Sequence, residues 1–160
     1  MSKTIFEVIP TRSLGPVLLG VHQSEVKKVL GTASDTQEPY SMEIPLSNDA
    51  INFPRKDYYF KNALQISYDE KDNVEYIEVT QTKSFTILFQ EVKLLEISSK
   101  DAIKHMSTIA KVNTDLDEYP ETCVYFDISL SLWKPSNTNK KFKTLGIGIK
   151  KYYQDILDLD

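Results

Sequence analysis

The sequence predicts an α+β fold: an antiparallel sheet built from two tandem helix-plus-meander repeats, with the helices packed on one face. Three observations predict it. Leu18-Leu19-Gly20-Val21 followed by Glu25-Val26 is echoed 76 residues later by Leu94-Leu95-Glu96-Ile97 followed by Asp101-Ala102. Tyr59-Phe60 with Leu64 and Ile66 is echoed 66 residues later by Tyr125-Phe126 with Leu130 and Leu132. Ile77 and Val79 then find counterparts in Leu145 and Ile147. Three blocks in one order signal a duplicated unit. The 160 residues read as a single domain, with repeat one over about 4–80, repeat two over about 83–151 and a tail over 152–160. At 41% hydrophobic and 26% charged, the chain has enough apolar surface to bury a core.

The elements follow in order. Residues 4–9 form a short extended segment ending at Pro10. Ser24 caps a helix from Glu25 to about Leu30, with Val26, Val29 and Leu30 on one face and Gly31 as the left-handed stop. Pro39, Pro45 and Pro54 make 32–57 a long irregular or partly stranded connection. Leu64, Ile66 and Tyr68 alternate with polar neighbours, the period-two mark of a half-buried strand. Asp69 to Asn73 has hairpin-turn composition, and Ile77 and Val79 alternate in the next strand. Phe85, Ile87 and Phe89 add a further strand to this antiparallel meander, because its turns are too short for crossovers.

In the second unit, Ser98 or Ser99 caps a helix from about Lys100 to Ala110 whose apolar stripe includes Ala102, Ile103 and Met106. An acidic loop spans 113–120, and strands follow over Ile128, Leu130 and Leu132 and over Leu145, Ile147 and Ile149. The tail is a last helical turn or a loose end. Lys140, Lys141 and Lys143 read as guards of a sheet edge.

Helices cover one face of such a sheet, so the other face is expected to be open. It would carry Gln65, Ser67, Tyr76, Glu78, Ser129, Ser131, Trp133 and Thr144, a polar floor with Tyr76 and Trp133 standing on it as recognition anchors. For Trp133 the alternative is a strand-end residue packed under a loop. Gly146 and Gly148 read as sites of sheet bending.

The formal charge of −4 resides in the first 80 residues, which hold 8 basic and 12 acidic side chains against 11 of each in the rest. That balance argues against a nucleic-acid ligand and for a basic partner. Glu78 and the turn carboxylates Asp69, Glu70 and Asp72 are the expected contacts to it. The single cysteine, Cys123, excludes an intrachain disulfide and a cysteine zinc cluster and fits a reducing compartment. No signal-peptide pattern or membrane-length apolar run is present, so the expectation is a cytoplasmic protein with no membrane contact.

Chemistry is sparse. His22 lies in a turn, His105 aligns with Val29 and reads as a packed histidine, and Cys123 reads as a small buried hydrophobe. Gly15-Pro16-Val17-Leu18-Leu19-Gly20 lacks the lysine and hydroxyl residue of a phosphate loop. Asp69-Glu70 with Asp72 lacks the glycine and closing glutamate of a calcium loop. No metal, cofactor or catalytic residue is expected.

The stretch Leu14-Gly15-Pro16-Val17-Leu18-Leu19-Gly20, then Ser24-Glu25-Val26 and Val29-Leu30-Gly31, resembles the opening of beta-lactamase-inhibitor-protein-like repeats, which also occurs in small outer-membrane assembly lipoproteins. The second copy departs from it, with Glu96 where the first has Gly20. Lacking a lipid-bearing cysteine and disulfides, the chain is most similar to small bacterial cytoplasmic members of this group, including immunity proteins of toxin–immunity systems. The resemblance implies stoichiometric binding through a concave sheet, without catalysis or cofactor. The expected function is a cytoplasmic immunity protein that occludes the active site of a basic toxin domain. The alternatives are a small-ligand-binding or assembly scaffold and, less favoured, an enzyme with a pocket between the repeats using His22, His105 or Cys123.

Overall fold

The computed structural model describes residues 3–157. It is mostly antiparallel sheet with three short helices, consistent with the α+β reading. The strands are β1 (Thr4–Ile9), β2 (Ser13–Leu14), β3 (Val17–Leu18), β4 (Asp35–Gln37), β5 (Tyr40–Glu43), β6 (Ala50–Phe53) and β7 (Lys56–Tyr59). They continue with β8 (Leu64–Tyr68), β9 (Val74–Thr80), β10 (Phe85–Leu88), β11 (Thr122–Tyr125), β12 (Leu130–Trp133) and β13 (Thr144–Gly148). The helices are α1 (Gln23–Leu30), α2 (Ser99–Met106) and α3 (Tyr152–Leu157).

The main sheet has seven strands in the order β11-β12-β13-β9-β8-β7-β4. Its two meanders, β7-β8-β9 and β11-β12-β13, meet through their last strands, which pair antiparallel. The register is alike on both sides: Tyr59 pairs Leu64 and Leu64 pairs Val79, as Tyr125 pairs Leu130 and Leu130 pairs Ile147. β13 is therefore central, and the lysines before it guard no edge. Its place in the middle of the sheet comes from pairing with β9, Leu145 against Val79, a long-range contact that no local pattern announces.

The apolar alternation faces one side. Leu64, Ile66, Ile77, Val79, Leu130, Leu132, Leu145 and Ile147 are all fully buried there. Val26 of α1 and Ala102 and Met106 of α2 join the same core. α1 is capped by His22, whose Nδ1 accepts from the Ser24 backbone N–H, so the helix starts earlier than a serine cap would place it. Gly31 stops it at φ 79, as expected. α2 ends at Met106, short of the predicted Ala110, because Ser107 and Thr108 turn their hydroxyls back onto the Lys104 and His105 carbonyls.

Two larger expectations also fail. β10 does not extend the meander: it pairs in parallel with β1, in a four-stranded sheet ordered β10-β1-β2-β3. Phe6 stacks on Phe85 at 4.0 Å across that pairing, and the inner side chains of this small sheet close over the apolar face of the large one. The connection between β9 and β10 thus jumps sheets instead of turning a hairpin. Second, the helices do not share one face. α3 lies on the opposite, polar face, where Tyr153 donates a 2.6 Å hydrogen bond to Ser131 Oγ and Tyr152 stacks on Tyr76 at 4.8 Å. The tail is therefore helical over Tyr152–Leu157, where it covers part of the floor expected to be open, and its last three positions, 158–160, lie outside the described residues.

Candidate functional site

On the polar face, register places Ser67 beside Tyr76, Gln65 beside Glu78, Glu78 beside Gly146 and Trp133 beside Thr144. The floor divides into a covered part and an open part. Ser131, bonded to α3, is buried, as are Thr144 and, at the turn into β12, Ser129. Tyr76 is half-buried, wedged between Tyr152 and Tyr153, and donates to Glu78 Oε2 at 3.3 Å. Burial, then the charge and hydrogen bond of its neighbours, holds its hydroxyl well above the ordinary tyrosine value. Tyr76 is thus not the free anchor the alternation suggested, because the tail that covers it carried no sheet-like signal.

Gly146 and Gly148 leave room for tyrosine side chains. A Cβ on Gly146 would strike the Tyr76 hydroxyl and stand 2.6 Å from its Cζ, and one on Gly148 would stand 2.5 Å from Tyr152 Cβ. Both glycines make the hollow that the tyrosines fill.

Beyond α3 the floor is accessible. Trp133 is 38% exposed at the end of β12, and Glu78, Gln65 and Tyr58 are half-exposed side by side on β9, β8 and β7, beyond β13. Trp133 is not packed away under a loop. Its successor Lys134 is buried, its Nζ donating to Ser99 Oγ at 3.1 Å and to the Asn139 carbonyl at 3.2 Å while lying 5.8 Å from the Phe142 ring centre. This buried lysine ties the end of β12 to the start of α2 and fixes the backbone on which Trp133 stands.

The acidic turn is less free than its composition implied. Asp69 Oδ1 accepts from the Lys71 and Asn73 backbone N–H groups, building the turn itself. Asp72 pairs with Arg55 at 3.3 Å, and Arg55 also pairs with Glu38 at 2.8 Å. Burial opposes the Arg55 charge, but these two carboxylates outweigh it and raise its pKa. Glu70 alone of the three turn carboxylates is exposed without an ion-pair partner among the described residues. The turn forms one wall of an open groove of about 770 Å³ whose other wall holds Tyr40, Phe53 and Pro54.

One polar centre was missed. Asp57 is fully buried and accepts from Tyr68 Oη at 2.8 Å, Thr36 Oγ1 at 2.7 Å and Gln23 Nε2 at 3.2 Å. It joins α1, β4, β7 and β8. Burial, then this carboxylate, pushes the Tyr68 hydroxyl far above its usual value. The available signal was parity: Asp57 lies two residues from the inward Tyr59 and so shares its face.

His22, His105 and Cys123 make no hydrogen bond with one another among the described residues. His105 packs edge-on to Phe89 at 6.5 Å, with its Nε2 buried and making no hydrogen bond among the described residues. Cys123 is fully buried and its thiol donates to the Pro120 carbonyl at 3.6 Å; burial pushes its pKa up to about 11. At pH 8 its thiolate is then about 100-fold scarcer than that of an ordinary cysteine. Ellman's reagent should accordingly label native chain at least about 100-fold more slowly than urea-unfolded chain; equal rates would place Cys123 at the surface.

No group of three or more histidine, cysteine, aspartate or glutamate side chains is placed to hold a metal ion among the described residues. No helix among them is long and apolar enough to cross a membrane. Compared with protein-family models, with curated proteins and with solved structures, the chain matches none.

Proposed function

We propose that this chain is a non-catalytic protein-binding module, in its most specific form a cytoplasmic immunity protein that occludes the active site of a basic toxin domain. The observation that carries the reading is Trp133, a large aromatic left exposed on the polar sheet floor that also carries Glu78 two strands away, on β9. An exposed tryptophan on a rigid strand buries much area at little entropic cost when a partner closes over it. Glu78 and Glu70 supply negative charge toward a basic cleft and speed its approach.

The duplicated architecture belongs to the same proposal. The sequence equivalences of Tyr59 with Tyr125, Leu64 with Leu130 and Val79 with Ile147 coincide with equivalent positions in the two meanders' pairing registers. That coincidence supports a tandem repeat whose halves join edge to edge and present one broad surface, as in the repeats the sequence resembles.

The test uses the polypeptide encoded beside this chain's own gene as the candidate toxin. Binding by calorimetry should weaken about 30-fold or more for Trp133→Ala, the loss of a central aromatic contact of about 2 kcal/mol or more. Glu78→Lys and Glu70→Lys should mainly slow association, and less so at high salt. Undiminished affinity in Trp133→Ala would remove the sheet floor from the proposal.

A further inference from the structure

The connection between β4 and β7 holds a feature that the sheet floor does not explain. β5 and β6 form a hairpin that, among the described residues, pairs with no other strand, leaving both its outer edges free. Every residue from 38 to 52 is exposed, and none from 38 to 53 belongs to the core. Directly opposed residues share a face, so Tyr40 with Phe53 and Met42 with Ile51 make one side of the ribbon, while Ser41 bonded to Asn52 marks the other. The Tyr40 and Phe53 rings stack at 4.6 Å. Tyr40 is 46%, Met42 54% and Ile51 49% exposed, a contiguous apolar strip in water. A lone two-stranded ribbon is marginal by itself, and such a strip marks a surface that a partner covers.

Charge says what covers it. The segment 38–54 contains Glu38, Glu43 and Asp49 and no lysine or arginine. The groove wall facing Tyr40 and Phe53 adds Asp69, Glu70, Asp72 and Glu75 against Arg55 and Lys71. Seven acidic and two basic side chains give this end of the molecule a formal charge of −5, more than the −4 of the whole chain, so the remainder is +1. Arg55 is already held by Glu38 and Asp72. Glu75 and Asp69 make no ion pair among the described residues, and burial, then the Asp69 charge, raises the Glu75 pKa.

We infer that the β5–β6 ribbon and the groove beside it are a docking surface for a basic, extended segment of a protein partner, whose apolar side chains cover Tyr40, Met42, Ile51 and Phe53 while its lysines or arginines face the acidic wall. A strand added to a free ribbon edge satisfies backbone groups that are otherwise solvated, and alternate side chains then meet the apolar strip and the groove. The inference rests on the protein-binding reading above but assigns a different surface, one that contains neither Trp133 nor Glu78 and shares only Glu70 with that reading.

The experiment titrates the full chain, labelled for amide NMR, with a capped seven-residue peptide alternating arginine and valine, and with its glutamate–valine counterpart. The expected result is shift changes confined to residues 38–55 and 69–75 with the arginine peptide, and at least tenfold weaker binding of the glutamate peptide. Met42→Ser with Ile51→Ser should weaken the arginine peptide at least tenfold and leave the unfolding midpoint unchanged, since the ribbon lies outside the core. Equal affinity for both peptides, shifts mapping elsewhere, or no binding would overturn the inference. So would a dimer in sedimentation of the free chain that Ile51→Lys dissolves, because the strip's occupant would then be a second copy. Loss of toxin binding in Trp133→Ala leaves this result untouched, and the reverse holds, so the two readings fail separately.

Discussion

Asp57→Ala is expected to lower the unfolding free energy by about 3 kcal/mol, because it removes one acceptor group and strands three donors at once. Tyr68 and Asp57 are both fully buried, so the freed tyrosine hydroxyl has no water to turn to, and Thr36 is half-buried. A buried carboxylate also carries a desolvation cost that alanine relieves, which keeps the net loss below the sum of three charge-assisted bonds. The loss should appear in urea unfolding as a shift in midpoint of about 1–2 M at unchanged slope. Asp57→Asn should fall between, since one acceptor oxygen survives while the new amide points donors at donors. A loss below about 1 kcal/mol in Asp57→Ala would mean that the three donors find other partners and that the centre does not tie α1, β4 and β8 together.

Gly146→Ala is expected to destabilise by about 2–3 kcal/mol, an overpacking effect at a position where alanine would ordinarily be tolerated in a strand. The new methyl would meet the Tyr76 hydroxyl and ring, and that ring cannot swing freely because Tyr152 stacks against it at 4.8 Å and Tyr153 stands edge-on at 6.2 Å. Either β13 bends away from the tyrosine or the aromatic cluster lifts, and lifting it carries α3 off the sheet. A double-mutant cycle separates the clash from a generic strand effect. In a Tyr76→Ser background the same glycine replacement should cost less than about 1 kcal/mol, because the ring it strikes is gone. Limited proteolysis gives the second readout: cleavage after Lys150 or Lys151 should be faster in Gly146→Ala than in the parent chain. A cost that persists undiminished in the Tyr76→Ser background would show that the Tyr76 ring is not what the glycine accommodates.

Much of the main sheet was legible because its signal is local. Leu64, Ile66, Ile77 and Val79 alternate at period two, and a half-buried strand reads the same from one end to the other whatever its neighbours are. The α1 stop at Gly31 was legible for the same reason: a helix end that needs a left-handed residue selects glycine. Phe85 and Ile87 were read correctly as strand residues, but their partner was not, since a run of alternating apolar residues fits a parallel neighbour as well as an antiparallel one. Of the candidate site, Trp133 and Glu78 were placed on the polar face by parity alone. Tyr76 was placed there too, yet its fate depended on Tyr152 and Tyr153, whose packing is fixed by the hollows at Gly146 and Gly148 and not by any pattern in the tail itself. Asp69 and Asp72 were read as a charged tip, whereas backbone N–H groups and Arg55 claim them.

The sequence by itself determined which residues alternate, where the first helix stops, which side of each strand is apolar and that the negative charge lies in the first half. These follow from covalent geometry and side-chain chemistry within a few residues, so no knowledge of distant partners is needed. Only the tertiary structure decided that β10 joins β1, that β9 and β13 bring the two meanders together, that α3 covers part of the polar floor and that the acidic charge gathers around one solvent-exposed ribbon. Each of these is a long-range juxtaposition, selected by the complementarity of whole surfaces, and such complementarity belongs to the folded pair of surfaces and not to either segment's own pattern.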